Sequence, residues 1–371
     1  MLNITDESIL SEMDKIFDTE DYNKSYFDND DIFFDETLSI FDVSNNINDT
    51  NIACNELERR LNSNNNISME ANFFKKVWDF IVMIIKKIMN AVVKFFKVVV
   101  NFFKRIFNIK NDIKKDCNEI LKDKEKFDDV SSNIMDKIIN DDITPDEDVL
   151  NSTESNSINN KYDITIIIPG KEEEYIKILH NNFKKDFLIE FKKISFYINN
   201  FTDIMITDRS HDNIVVKINE FEAKHNEYKK KMNELIKKFK ENKVKYIIQV
   251  DKNNGRNVIK NALYRNTIGK NNSNDILKAV DNNNCNRMLN SLIRTIKKVQ
   301  SKTNNTDTKY QSTVKKLSIL MNNTVSLTNK LFSEVFSYVR MYMITENINT
   351  KIAKFAVDMF RKTKKELYYK V

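Results

Sequence analysis

The segment "FFKKVWDFIVMIIKKIMNAVVKFFKVVVNFFKRIF", residues 73–107, decides how this chain folds. It contains no Gly or Pro, and its polar residues recur at intervals of three, four or seven positions. In an α-helix this spacing places them on one narrow stripe and leaves roughly two-thirds of the circumference apolar. We therefore predict one long helix over residues 73–109, which at about 1.5 Å per residue spans on the order of 50 Å. The polar stripe consists of Lys76, Lys87, Asn90, Lys94, Lys97, Asn101, Lys104 and Asn108.

An apolar face of this width has three interpretations. It can pack against the rest of the chain or against sister copies, which leaves only the polar stripe in water. It can lie at a bilayer surface, because Trp and Phe on one side and Lys on the other are typical of interfacial helices. Its longest stretch without charge or Asn, Phe80–Ile85, is shorter than the roughly 20 apolar residues of a spanning helix. Its basic residues can also contact DNA phosphates without reading sequence. The residues that carry these interpretations are Phe73, Phe74, Trp78, Phe80, Lys87, Lys94, Lys97, Lys104 and Arg105.

The composition favours a mainly helical fold with a small β element. Only 3 Gly and 2 Pro occur in 371 residues, which excludes the turn-dense all-β folds. The stretch "YDITIII" before Pro169-Gly170 reads as a strand, and residues 213–218 and 244–250 read as two more, which gives an α+β middle module. Long helices are predicted near 285–302, 310–344 and 347–368.

Changes in composition divide the chain into five predicted regions. The first region, residues 1–70, is expected to be disordered because it offers little apolar surface for its length, although short helices near residues 7–17 and 51–61 have room to form. The regions are an acidic propeptide-like segment (1–70), the basic amphipathic helix with a charged helix (71–140), a linker (141–160), a small α+β module (161–250) and a helical bundle (251–371).

Charge is distributed in blocks, although the chain as a whole carries only +6. Residues 1–72 have a net charge of −13 and residues 73–107 a net charge of +7. Residues 108–150 follow with −6, and residues 151–371 carry +18. Single-signed blocks of this size attract polyanions or an oppositely charged neighbour, so they point to assembly and partners rather than to the fold.

Residues with catalytic or metal-binding chemistry are sparse. The sequence "PGKEEE" lacks the earlier Gly and the following Ser or Thr of a phosphate-binding loop. His211, between Asp208 and Asp212, lies in a cluster of titratable groups that reads as a solvated loop, and the three histidines lack metal-ligand spacing. The three cysteines are far apart, which favours a reducing compartment over a disulfide framework. We therefore expect a protein that is not an enzyme and that has no cofactor or metal.

The junction between the acidic and basic blocks contains the tripeptide Ser68-Met69-Glu70, followed by Ala71 and the long helix. With the acidic leader before it and the basic, aromatic helix after it, this arrangement resembles internal head proteins of giant tailed phages of the phiKZ-like group. The resemblance implies a propeptide that a prohead protease removes after a Ser-x-Glu motif, here between Glu70 and Ala71. A second match, Ser152-Thr153-Glu154, lies in the predicted linker.

The resemblance covers the N-terminal third best and implies a structural virion protein. Such a protein is made in the host cytoplasm, enters the head with the scaffold core, and stays in the capsid interior with packaged DNA. Its implied partners are the prohead protease, the scaffold core, non-specific DNA, and sister copies or other internal head proteins. The alternative is a membrane-active protein that uses residues 73–107 at a bilayer surface.

Overall fold

The computed structural model describes residues 47, 49–59, 61–62, 71–139, 164–207, 211–268, 273–280, 282–303 and 311–368. Within these residues the protein is mainly helical with a two-stranded sheet, which confirms the predicted fold class. The helices are α1 (Ala71–Lys122), α2 (Lys124–Ile139), α3 (Glu172–Leu179), α4 (Leu188–Thr207), α5 (His211–Lys245), α6 (Gly255–Ile268), α7 (Ser273–Ala279), α8 (Asn282–Thr303) and α9 (Gln311–Tyr368). The strands are β1 (Thr165–Ile167) and β2 (Ile247–Gln249), and a π-helical stretch, His180–Phe187, joins α3 to α4.

Helix α1 contains the predicted helix 73–109 and continues beyond it for more than three turns. The sequence after residue 109 is rich in charged residues, but Ile113, Cys117 and Ile120 recur in it at helical spacing and are buried. The helix ends at Lys122. The carboxylate of the next residue, Asp123, accepts hydrogen bonds from the backbone N–H groups of Glu125 and Lys126, at 3.1 and 3.3 Å. Asp123 thereby caps the start of α2.

Helix α9 was predicted as two helices, 310–344 and 347–368, and is a single helix of 58 residues. No Gly or Pro interrupts it. Near the expected break, the Thr345 and Thr350 hydroxyls donate to carbonyls four residues earlier, so these polar groups are satisfied within the helix. At about 1.5 Å per residue α9 is roughly 85 Å long, and most other helices pack along it.

The sheet is smaller than the sequence predicted. β1 and β2 pair antiparallel, with Ile166 opposite Ile248. The Pro-Gly turn after β1 is present, and Gly170 takes a φ of +87°, a conformation that glycine adopts without a steric penalty. The expected strand at residues 213–218 was wrong, because these residues belong to α5. Their Ile and Val residues belong to a longer helical repeat that buries Ile214, Ile218 and Phe221 on one face.

Two hydrophobic cores lie along α9. The larger one takes buried residues from α1, α4, α5, α8 and the part of α9 up to Met343. The smaller one lies between the last part of α9, the end of α1, α2, the sheet and α6. Residues from each of the ranges 71–140, 161–250 and 251–371, which the sequence divided into regions, contribute to the larger core.

A helical segment before α1 also belongs to the larger core. Residues 49–59, with their described neighbours 47, 61 and 62, form what we call the docked segment. Its apolar residues recur at helical spacing and are buried, and they are Ile47, Ala53, Cys54, Leu57 and Leu61. The short helix expected near residues 51–61 is therefore confirmed, and it is packed rather than disordered, because a stripe of five apolar residues is enough to pack a short helix on α9. The predicted helix near residues 7–17 lies outside the described residues.

Candidate nucleic-acid interface

The apolar face of α1 is buried inside the protein. Phe74, Trp78 and Phe80 are at most 7% exposed, and α9, α8 and α6 pack against the helix. The Phe95 ring stacks on Phe336 of α9 with centroids 4.0 Å apart. The packing interpretation of this face is therefore confirmed, and the apolar surface that suggested a bilayer contact is covered. The side chain of Phe73 lies outside the described residues.

The polar stripe of α1 faces solvent along its length. Lys94, Lys97 and Lys104 are exposed, as predicted. Lys87 and Arg105 are half-buried at the edges of the stripe, and each has an interaction partner within the protein, so they are less available to a ligand. We call the exposed lysines of this helix the lysine stripe, and they are Lys75, Lys76, Lys86, Lys94, Lys97 and Lys104.

A second row of basic residues lies on α8, next to the lysine stripe. Helix α8 contains no acidic residue, and its exposed basic side chains are Arg287, Arg294, Lys297 and Lys298. Gln300 at its C-terminal end donates a 2.7 Å hydrogen bond to exposed Asp79 of α1, so the solvent-facing sides of the two helices adjoin. This contact joins the end of α8 to the beginning of α1, since α1 starts only eight residues before Asp79. The two helices pack along each other, so they run antiparallel.

The antiparallel pairing aligns the two rows. Arg294 lies six residues before Gln300, and Lys86 lies seven residues after Asp79, so each is about 10 Å from that contact. By the same count Arg287 and Lys94 lie at a common level about 20 Å from it. The lysine stripe and the α8 row together form what we call the basic face. Its ten exposed cations stand against one exposed carboxylate, Asp79.

The cations of the basic face are largely uncompensated within the described part of the chain. Lys298 has a carboxylate within ion-pair distance, Asp203 of α4 at 3.8 Å. The other nine make no ion pair with any described residue. A row of unpaired cations repels itself, and a polyanion relieves that repulsion.

The proposed processing site divides between the described and undescribed parts of the chain. Ser68, Met69 and Glu70 lie outside the described residues. Ala71 is the first residue of α1. Residue 62 is the last described residue of the docked segment, so in the sequence the Ser-x-Glu motif falls between that segment and α1.

A cluster of buried charges ties four elements together elsewhere in the fold. Lys110 of α1 donates to Glu346 of α9 at 2.6 Å, and Arg265 of α6 pairs with both Glu346 and Glu172 of α3. Asn261 donates to the other oxygen of Glu172 at 2.9 Å. Burial and the neighbouring Arg265 lower the pKa of Lys110 to about 7. Both carboxylates are 2% exposed, so this cluster is a structural tie without access for a substrate.

Sequence reasoning found the lysine stripe but missed the α8 row. It gave residues 151–371 only a summed charge of +18. The signal was present in residues 282–303, where every charged residue is basic and Arg287 and Arg294 are seven positions apart. What the sequence did not contain was the position of this helix beside α1.

Among the described residues, no cluster of His, Cys, Asp or Glu is arranged to hold a metal ion. Within the same ranges, no helix has the length and apolar character needed to cross a bilayer. The three cysteines are free and buried. No known protein family, curated protein sequence or solved structure matches this chain.

Proposed function

We propose that this chain is a structural, non-enzymatic protein that binds nucleic acid through the basic face, as an internal head protein packaged with DNA in a tailed phage. The observation that carries the proposal is the basic face itself, with ten exposed cations and one exposed carboxylate on residues 75–104 of α1 and on α8. Phosphate contacts from such a surface are independent of sequence, and they release condensed counterions from the nucleic acid. The capsid interior, with host cytoplasm before assembly, is the location that fits this role.

The acidic N-terminal residues serve as a propeptide in this proposal. A prohead protease cuts between Glu70 and Ala71, and the −13 charge of the leader is then no longer covalently joined to the body that meets DNA. Before the cut, the acidic residues compete with nucleic acid for the basic face and offer a contact to the scaffold core. Sister copies or other internal head proteins are the remaining proposed partners.

Salt dependence of DNA binding by the full-length protein tests the proposal. The change is Lys94→Gln with Lys97→Gln, which removes two cations from the centre of the lysine stripe without adding repulsion. Each phosphate contact contributes about 0.9 to the slope of log K against log salt on duplex DNA. We expect the double variant to bind more weakly and to lose roughly 2 from that slope.

The same helix provides a matched control. Lys114 and Lys115 are exposed on α1 outside the lysine stripe, among the acidic residues of its C-terminal part. Lys114→Gln with Lys115→Gln should leave affinity and slope unchanged. Equal slopes for the two double variants, or no DNA binding at low salt, would refute the proposal. Binding to anionic vesicles that persists at high salt would instead favour the membrane-active alternative.

A further inference from the structure

Helix α4 continues the solvent-facing surface on the far side of α8. The Thr295 hydroxyl of α8 hydrogen-bonds the side-chain oxygen of Asn199, and Lys298 pairs with exposed Asp203. Residue numbers rise together in the two contacts, so α4 and α8 run parallel. Helices α1, α8 and α4 therefore lie side by side, with neighbouring axes about 8–10 Å apart.

An exposed aromatic pair lies on this part of α4. Phe196 is 61% exposed and Tyr197 is 37% exposed, with ring centroids 6.0 Å apart in an edge-to-face arrangement. Phe196 lies seven residues before Asp203, so both project from the same side of the helix. Because Asp203 contacts Lys298, Phe196 faces the solvent on the side of α4 that borders the basic face.

Cations surround the aromatic pair. Counting back from the contact between Asn199 and Thr295, Phe196 lies within one helical turn of the level of Arg294 on α8. Lys192, one turn earlier on α4, is exposed and makes no ion pair within the described residues. On the other side, the Lys224 ammonium group lies 5.8 Å from the centroid of the Tyr197 ring.

We infer that the basic face and this aromatic pair together bind single-stranded nucleic acid, with phosphates on the cations and unpaired bases stacked on Phe196 and Tyr197. The inference rests on the proposed function and specifies its ligand. Aromatic side chains beside a track of cations are the combination by which proteins hold single strands without reading sequence. A duplex offers its phosphates to the same cations, but its bases are stacked inside and cannot reach the rings.

Binding of full-length protein to three probes tests the inference. The probes are a labelled thymidine 30-mer, a duplex of the same length, and inorganic polyphosphate as competitor. Phe196→Ala with Tyr197→Ala should weaken binding of the single strand at least about fivefold, because base stacking on an aromatic side chain is lost. The same double variant should bind the duplex and polyphosphate as the parent protein does.

Two controls make the result specific. Tyr264→Ala removes a comparably exposed ring, 56%, from α6, which packs on α1, α2 and α9, and it should leave all three affinities unchanged. Phe196→Trp introduces an exposed indole into a protein whose single native tryptophan, Trp78, is fully buried. Its fluorescence should be quenched by the single strand and not by polyphosphate.

The outcomes separate this inference from the proposed function. Equal single-strand affinity for the parent and the double alanine variant, or an equal loss on the duplex, overturns base stacking while DNA binding by the basic face stands. Failure of all three probes to bind at low salt overturns both. Circular dichroism of each variant confirms the native helical content, which these exposed substitutions should preserve.

Discussion

Cutting the chain within residues 63–70 should not by itself release the N-terminal fragment. The docked segment is bound to α9 by its buried apolar stripe and by two buried amides that lie seven residues apart on that helix. Asn322 donates to the Cys54 carbonyl at 2.8 Å, and Asn329 donates to the Ile47 carbonyl at 2.6 Å. Dissociation would leave both amides without these partners and expose the core beneath them.

The strength of this attachment can be reduced at one residue. Leu57 is 4% exposed, and Leu57→Ala leaves a cavity that costs about 3 kcal/mol. Since about 1.4 kcal/mol corresponds to a factor of ten, the dissociation constant of the cut fragment should rise roughly 100-fold. Ile52 lies on the outer side of the same segment and is 59% exposed, so Ile52→Ala should change the free energy of dissociation of the fragment by less than about 0.5 kcal/mol.

The assay uses a specific protease site placed between residues 62 and 71 of the full-length protein. After cutting, size-exclusion chromatography at decreasing concentration shows whether the fragment elutes with the body. We expect co-elution for the cut parent and for Ile52→Ala, and separation at higher concentration for Leu57→Ala. A parent fragment that separates at once from a folded body, or equal retention of the Leu57 and Ile52 variants, would refute the reasoning.

Three further predictions concern stability, and urea unfolding followed by circular dichroism measures each. Burial lowers the pKa of His225 to about 4 from its usual 6.5. Between these values the unfolded chain binds a proton that the folded protein does not, so the free energy of unfolding is constant above pH 6.5 and falls as pH drops from 6.5 towards 4. The loss is about 2 kcal/mol at pH 5, and a His225→Leu variant that kept this pH dependence would contradict the assignment. Glu346→Gln removes the carboxylate charge that lies 2.6 Å from buried Lys110 and should cost about 3–5 kcal/mol. Glu220→Gln removes the exposed carboxylate that pairs with Lys217 and should cost under about 0.5 kcal/mol, and similar values for the two variants would show that the buried cluster is solvated. Gly170→Ala places a methyl group in open space at a φ of +87°, so it should lower the free energy of unfolding by about 1 kcal/mol through backbone strain alone. A clearly different cost would mean that the turn rearranges.

Periodicity alone was enough to predict α1 and its two faces. Its polar positions fall on one stripe over ten turns, and only a helix brings them together. The same reasoning could not find the partner of the apolar face, because sister copies, a bilayer and the rest of the chain all satisfy an apolar surface equally well. The long-range contact between Phe95 and Phe336 decides among them, and residues 241 positions apart carry no local signal.

Short patterns misled where a longer repeat or a tertiary contact prevailed. Residues 213–218 are rich in Ile and Val like a strand, yet the 35-residue helix around them buries a regular stripe. Scarce apolar surface suggested disorder through residue 70 with room for a short helix near 51–61, and five apolar positions sufficed to dock that helix. The ion pairs around Glu346 join four elements that are distant in sequence, and only the fold brings these residues together.

The docked segment changes how a charge switch would operate in this protein. Most of the acidic charge of the leader lies before it, since residues 1–46 carry a net −11. The proposed cut between Glu70 and Ala71 would break the chain after the docked segment, and those charges would stay attached to the body through a helix packed in its core. The electrostatic effect of the leader ends only when that helix leaves α9. The proposed switch would then have two steps, a covalent cut and a dissociation, and competition from nucleic acid for the basic face would favour the second.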